Sequence, residues 1–339
     1  MKKFLWFSHF SGGGGSTLGA IQAGVTPLLG IEYDKKVAEL YEKNLGKVIC
    51  QDIGEVSVID CLKYVPLKEI RRKNNEILII QTSPPCQEYS QLKLNKNPNS
   101  ESAKVIWKTR RFYALFRPEY VILENVRAYL KSEVYIKFKN YLKDLGYEIS
   151  FEEIINCADY GVPQTRQRLI TIFNYKNFPA VRINPTYKKE EWVGWYSVIE
   201  DLISNLREVN LTEKQINSLS LSGKGFSNAK IIIERVGARN GVNKIRSDDA
   251  PIWTLKASLG SDGKGANREK IIDVSINGVV KSLNVACLAR LQTFPPSYEF
   301  SGKNSLDIHV IGNSVPPLLI KIICEEIKRV VLDDDREWW

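Results

Sequence analysis

The feature that most narrows how this chain can fold is an N-terminal strand, glycine run and helix in succession. Residues 3–10 (KFLWFSHF) are an apolar, aromatic-rich strand candidate, Ser11-Gly12-Gly13-Gly14-Gly15-Ser16 follows, and a helical stretch covers about 17–24. Glycines permit positive φ and let a ligand approach the backbone closely. Glu32 ends the next strand candidate (PLLGIE, 27–32), twenty residues after Gly12, where a carboxylate can accept from ribose hydroxyls. Nicotinamide and adenosylmethionine enzymes share this signature, and a flexible strand-to-helix turn would carry the same letters.

Strand and helix continue to alternate. A helix is predicted over about 34–44, strands at 47–50 and 77–82 (ILIIQT), a helix near 101–116, a strand at 121–125 (VILEN) and a helix near 133–145. Such alternation implies a mostly parallel sheet covered on both faces, a doubly wound α/β fold. Residues 147–156 and 168–174 read as two further strands joined by a loop. From about 176 the apolar runs are short and separated by turn signals such as Ser222-Gly223, Asn240-Gly241 and Asn277-Gly278, the mark of a second, smaller irregular domain. The stretch 284–332 returns to helical periodicity, with its last helix opening at Gly312-Asn313-Ser314-Val315-Pro316-Pro317. The expected division is a first domain over 1–183, a second over 184–283, and a hinge and C-terminal helix over 284–339 returning to the first.

Composition excludes several classes. The six cysteines form no C-x-x-C pair, which speaks against a zinc cage or a disulfide scaffold, and the two histidines, His9 and His309, lie near no ligand cluster. No metal is expected. Neither an uninterrupted apolar run of about 18 to 20 residues nor a secretory cleavage site is present, so an intracellular protein without a membrane partner is expected. Lys and Arg number 48 against 39 Asp and Glu, a net +9 that favours an anionic partner only modestly.

The sharpest local feature is Thr82-Ser83-Pro84-Pro85-Cys86-Gln87-Glu88-Tyr89-Ser90, directly after an apolar strand. In a doubly wound sheet, ligands and chemistry gather at the C-terminal ends of strands, and two prolines fix the direction in which Cys86 points. A thiol with a pKa near about 8.5 needs a nearby cation or helix N-terminus to act as a nucleophile. Burial is the commoner fate of a free cysteine, but prolines and polar neighbours fit it poorly here. Two clusters could serve such a thiol. Leu123-Glu124-Asn125-Val126 puts a carboxyl at the end of another buried strand, and Gln164-Thr165-Arg166-Gln167-Arg168 carries two guanidiniums at i and i+2. Either alone is more often a salt-bridge partner than a catalyst.

In order, the chain carries F-S-G-G-G-G (10–15), I-E-Y-D (31–34), Q-D-I (51–53), P-P-C-Q (84–87), E-N-V (124–126), Q-T-R-Q-R (164–168), R-L-Q-T-F-P (290–295) and G-N-S-V-P-P (312–317). Together these motifs resemble the DNA (cytosine-5)-methyltransferase family over nearly the whole chain. The resemblance implies a Rossmann-like methyltransferase sheet with a target-recognition domain. It implies methyl transfer from S-adenosylmethionine, leaving S-adenosylhomocysteine, to carbon 5 of a flipped-out cytosine in duplex DNA. Cys86 would add to carbon 6, Glu124 would bond ring N3 and the exocyclic amine, Arg168 would hold O2, and Arg166 and Asn125 would support the framework. For the cofactor, the resemblance implies Phe10, Ser11, Gly12, Gly13, Gly14 and Gly15 against adenosine and methionine, Glu32 on the ribose, and Tyr33 stacked near adenine. Asp52 and Ile53 would read the adenine edge, with Pro84, Asn313 and Ser314 as further contacts. The chain departs from the family pattern at His9, where an apolar residue is usual, at Thr82-Ser83, where glycines commonly precede the prolines, and at Tyr89, where Phe is common.

Base flipping asks for positive charge near the thiol. In 93–111, Lys93, Lys96, Lys104, Lys108, Arg110 and Arg111 stand against Glu101 alone. In 224–246, Lys224, Lys230, Arg235, Arg239, Lys244 and Arg246 stand against Glu234 alone. With Gln87 and Ser90, and Gln164 behind them, these are the expected contacts of double-stranded DNA, in place of a merely solvated basic face. The expected setting is a monomeric cytoplasmic enzyme, nucleoid-associated in a prokaryote, acting as a solitary methylase or with a cognate restriction endonuclease on a separate chain. Rival readings are a tRNA cytosine-5 methyltransferase with the same chemistry, a catalytically idle DNA-binding protein of the same fold, and a nicotinamide oxidoreductase. The glycine loop lacks the G-x-x-G continuation that the last would favour.

Overall fold

In the computed structural model, which describes residues 2–85, 104–222, 230–234, 243–256 and 272–334, the chain separates into two units. The first comprises Met1–Asn156, Gln167–Asn184 and Val315–Trp339, and the second Cys157–Arg166 and Pro185–Ser314.

The first unit holds a seven-stranded sheet of β1 (Lys3–His9), β2 (Thr26–Glu32), β3 (Val48–Cys50), β4 (Glu76–Thr82), β5 (Tyr120–Asn125), β6 (Tyr147–Asn156) and β8 (Gln167–Tyr175). The intervening β7 (Gln164–Thr165) belongs to the second unit. Strand order is β3-β2-β1-β4-β5-β8-β6. Strands β1 to β5 pair in parallel, and β8 lies antiparallel between β5 and β6. Connectivity reverses between β1 and β4, and doubly wound sheets bind ligands at the carboxyl ends of strands at such a switch point. Both β4 and β5 are continuous buried runs without alternation, as expected of strands covered on both faces.

Helices α1 (Gly15–Gln22) and α2 (Lys35–Leu45) follow β1 and β2, and the Asp34 carboxylate caps α2 by accepting from the Lys36 and Val37 amides. Short α3 (Val58–Cys61) and α4 (Lys68–Asn74) are not anticipated from the sequence. The segment KEIRRKN of α4 has no apolar period, because the residue it buries is Arg71. That guanidinium is fully enclosed: Nη2 lies 2.9 Å from Glu119 Oε1, Nε donates to Oε2 at 3.2 Å, Nη1 donates to the Pro66 carbonyl, and Nη2 also reaches the Phe116 and Arg117 carbonyls. Burial pushes the Glu119 carboxyl pKa up, and the Arg71 charge opposes that shift. The helix expected near 101–116 is, in its described part, a 3-10 turn over Val105–Thr109 followed by α5 (Arg110–Phe116), and α6 (Glu133–Asp144) is capped by Ser132.

The second unit carries α7 (Trp195–Ile203), α8 (Glu213–Ser222), α9 (Val285–Leu291) and α10 (Asn304–Asn313). Its antiparallel sheet runs β10-β9-β12-β13, from β9 (Ile231–Glu234), β10 (Ile245–Ser247), β12 (Ile272–Ile276) and β13 (Val279–Ser282), and β7 pairs with β11 (Ile252–Trp253). Segment 157–166 groups here instead of with the strands on either side of it. Besides the β7–β11 pair, the Asp159 carbonyl accepts from the Thr186 and Tyr187 amides at 2.9 and 3.0 Å. The 284–314 stretch also packs in this unit, where Arg290 of α9 meets Asp201 of α7 at 2.5 Å.

The final helix, α11 (Pro317–Leu332), returns to the first unit, starting five residues later than the sequence implies. Asn313 closes α10, and Pro316 and Pro317 have no N–H to continue that helix, whereas Pro317 fits the first turn of a new one. Within the first unit α11 packs on α1, and a Cβ on Gly19 would fall 2.2 Å from the Pro317 carbonyl oxygen, so only glycine allows this approach.

Candidate active site

At the end of β1 the chain turns through Phe10 at φ +55°, a conformation uncommon for non-glycine residues and frequent at functional sites. Ser11 stitches the loop to β2: its N–H donates to the Ile31 carbonyl at 2.9 Å and its Oγ accepts from the Ile31 N–H at 2.8 Å. Gly12 and Gly14 continue at φ +54° and +84°, and nothing among the described residues lies within 4 Å of where a Gly12 side chain would begin. Among the described residues no side chain caps α1, whose first-turn amides lack intrahelical acceptors. Glu32 accepts from the Gly12 N–H at 2.8 Å and the Asp34 N–H at 2.9 Å, and burial raises its pKa against the pull of those amides. Tyr33 is 71% exposed, Ile53 is buried in the core, and Asp52 accepts from the Gly54 N–H at 2.7 Å with Lys108 Nζ 3.6 Å away.

His9 is enclosed by Phe7 and Phe112, whose ring centres lie 4.6 and 4.7 Å from its own, and the Tyr113 hydroxyl is 3.4 Å from Nδ1. Among the described residues its Nε2 has no hydrogen-bond partner. Desolvation, with the Arg111 charge second, lowers the ring's pKa to about 3. His9 is therefore neutral and unsuited to proton transfer near neutral pH.

Glu124 and Asn125 end β5, and Arg168 lies near the start of β8, the antiparallel partner that sets Asn125 opposite Leu169. Arg168 Nε lies 2.9 Å from Glu124 Oε1, and the side chains are only 14% and 9% exposed. Asn125 Nδ2 donates to the Pro84 carbonyl at 2.9 Å, while its Oδ1 accepts from the Val126 N–H. The chain two residues before Cys86 is thus tied to the residue beside Glu124. A carboxylate and a guanidinium side by side offer an acceptor and several donors to the edge of a planar heterocycle.

In the second unit, Arg166 is buried and donates to the carbonyls of Leu255 at 3.1 Å, Gly312 at 3.3 Å and Ser314 at 3.1 Å, so it braces the 312–314 segment. Ser314 Oγ donates to the Val310 carbonyl at 2.7 Å, and exposed Asn313 has its Nδ2 2.9 Å from His309 Nε2. Lys230 Nζ sits 3.7 Å above the Tyr196 ring. Lys244 lies 5.9 Å from the Trp253 ring centre with its pKa lowered, first by burial and then by the Lys256 charge, and Arg246 is half-buried.

Two residues expected at the DNA turn inward. Gln164 is fully buried, donating to Gln292 Oε1 at 2.6 Å and accepting from the Leu255 N–H at 2.8 Å, so its amide is spent inside the second unit. Arg111 turns inward to the carbonyls of Ile53 and Val56 at 2.6 and 2.8 Å, tethering the loop that carries Asp52. Arg110, by contrast, is exposed. Cys86, Gln87, Ser90, Lys93, Lys96, Lys224, Arg235 and Arg239 lie outside the described residues.

Gln81, which none of the motifs includes, is buried at the end of β4 among hydroxyls of Ser8, Ser16 and Ser83. The signal was available: a glutamine closing the apolar run ILII must find hydrogen-bond partners if that strand is buried.

Residues 4–329 match the family described as C-5 cytosine-specific DNA methylase. The Type II methyltransferase M.FnuDI of Fusobacterium nucleatum is 26% identical, over 97% of this chain and 95% of its own. The Type II methylase M.HgiDII of Herpetosiphon aurantiacus is 28% identical over 94% of each. Among solved structures, the Entamoeba histolytica methyltransferase EhMeth shares the fold with a TM-score of 0.64 at 16% identity, covering 99% of this chain and 100% of that one. The chain belongs to the C-5 cytosine-specific DNA methylase family, and with it to the DNA (cytosine-5-)-methyltransferases.

Proposed function

We propose that this chain methylates carbon 5 of a flipped-out cytosine at a specific duplex DNA sequence, with Cys86 as the nucleophile and S-adenosylmethionine as the methyl donor. The observation that carries the reading is the Asn125–Pro84 bond beside the Glu124–Arg168 pair, which ties the approach to Cys86 to the groups that would grip the base. The cofactor fits the residues present. Open space at Gly12, uncapped amides at the start of α1, exposed Tyr33 and the Glu32 carboxylate suit a nucleoside bearing an amino-acid carboxylate. When bound, S-adenosylmethionine supplies an electrophilic methyl group.

The residues do the rest. Carbon 5 of cytosine is a poor nucleophile, so the Cys86 thiolate adds to carbon 6, forming a C–S bond and moving ring electrons to carbon 5. Glu124 accepts from the exocyclic amine and favours a proton on N3, which it then holds, and Arg168 donates to O2, which stabilises the charge that develops on the ring. Once carbon 5 carries the methyl group, a base such as water takes its proton, the C–S bond breaks and the ring is restored. In a duplex the base must leave the stack for this to happen. Exposed Arg110 and the basic residues of 93–108 and 224–246 would hold the phosphates. The reading extends to a monomer in a restriction-modification setting, with a cognate endonuclease as a separate chain.

Bisulfite sequencing of plasmid DNA from cells expressing the chain tests this. The expected result is protected cytosines at one recurring sequence, absent with Glu124→Gln. Unprotected DNA from cells whose tRNA gains 5-methylcytosine would replace DNA by RNA as the substrate.

A further inference from the structure

We propose that Gln81 is a positioning residue that locks the cofactor loop to the nucleophile loop. The Gln81 side chain is 1% exposed, and Ser8 lies directly beside it in the β1–β4 register. Its Oε1 accepts from Ser8 Oγ at 2.8 Å and from Ser16 Oγ at 3.0 Å, and its Nε2 donates to Ser83 Oγ at 2.5 Å. Ser8 and Ser16 bracket the glycine loop, one on β1 and one in the first turn of α1. Ser83 opens the segment that reaches Cys86 three residues later.

One planar amide therefore spans the glycine loop and the segment leading to Cys86. Both Oε1 lone pairs are used on the cofactor side, and Nε2 faces the nucleophile side. With Asn125 holding the Pro84 carbonyl, consecutive residues of the nucleophile loop are pinned from two directions. In a water-poor setting a buried amide keeps its orientation only while all its partners remain, so movement at Ser16 is transmitted to Ser83 through a rigid group. Gln81 acts through Ser16 and Ser83 and touches no reacting atom.

The inference rests on the proposed roles of the glycine loop and Cys86, and the test separates the two. S-adenosylhomocysteine binding is measured by calorimetry, and the rate of covalent adduct formation is measured on duplexes carrying 5-fluorocytosine at the mapped site with S-adenosylmethionine present. Ser16→Ala is expected to weaken binding about five- to tenfold, Ser83→Ala to slow the adduct rate by a similar factor, and Gln81→Met to do both, with unchanged circular dichroism. Combining Gln81→Met with Ser83→Ala should slow the adduct rate no further than Gln81→Met alone. A wild-type protein that neither binds nor forms adduct overturns the functional reading. A competent wild type with Gln81→Met inside twofold on both measurements, or with multiplicative effects in the double variant, overturns the bridge alone.

Discussion

His9 should make the chain lose stability in mild acid, and His9→Leu should remove that loss. The ring is fully buried against Phe7, Phe112 and Tyr113, and its pKa falls from 6.5 to about 3. An unfolded chain would bind a proton there at its ordinary pKa while the folded chain does not. The stabilisation from keeping the ring neutral is thus complete above pH 6.5 and is lost as pH falls from there toward 3. Between pH 7 and pH 5 the loss amounts to about 2 kcal/mol, rising by about 1.4 kcal/mol for each further pH unit. Leucine cannot titrate, and it leaves no unpaired Nε2. The gap between wild type and His9→Leu, measured by urea unfolding with circular dichroism, should therefore widen in the variant's favour by about 2 kcal/mol over that interval. His309 and the carboxylates are common to both proteins and cancel. Parallel stability–pH curves would refute the reasoning, because they would mean that His9 reaches water or gains a partner in the folded state.

Other outcomes follow from the same packing and chemistry. Arg71→Met leaves Glu119 buried without its counter-charge and should cost about 3–5 kcal/mol by denaturant unfolding, much of it recovered when Glu119→Leu is added. Arg168→Ala should lower kcat/KM by about 10²-fold or more while leaving S-adenosylhomocysteine binding unchanged in calorimetry, since the arginine faces Glu124 and not the glycine loop. Replacing Lys93, Lys96 and Lys104 by Gln should make the log–log salt dependence of DNA binding shallower by about 2 to 3, or about 0.9 for each phosphate no longer neutralised. An unchanged slope would remove that stretch from the DNA interface.

Much of the first unit was legible because its signals are local. A glycine run between a buried strand and a helix, and strands such as ILII and VILEN at the switch point, carry their reasons in a few adjacent letters. What escaped depends on partners distant in sequence. Helix α4 buries an arginine, so no hydrophobic period marks it, and its reason for existing is Glu119, 48 residues away. Segment 157–166 looks like a loop between two paired strands, yet its β7 finds β11 almost ninety residues later. In the second unit β12 and β13 join through the Asn277-Gly278 turn, but β9 pairs with β12 and β7 with β11 across long connections, and these short strands have too few residues to show alternation. At the site, Glu124, Arg168 and Asn125 stood out by motif. Gln164 and Arg111 share the motif or the charge, yet Gln164 Nε2 turns to Gln292 and Arg111 Nη2 to the Ile53 and Val56 carbonyls. Whether a polar side chain faces a ligand or its own backbone depends on three-dimensional neighbours.

A bond between Cys86 and the target cytosine would be visible in denaturing electrophoresis of the protein with 5-fluorocytosine duplexes and S-adenosylmethionine. Wild type should give a shifted protein–DNA band that survives denaturant, and peptide mapping should place the link on Cys86, with no such band from Cys86→Ala. An equal band from Cys86→Ala, or methylated product from that variant, would contradict the account.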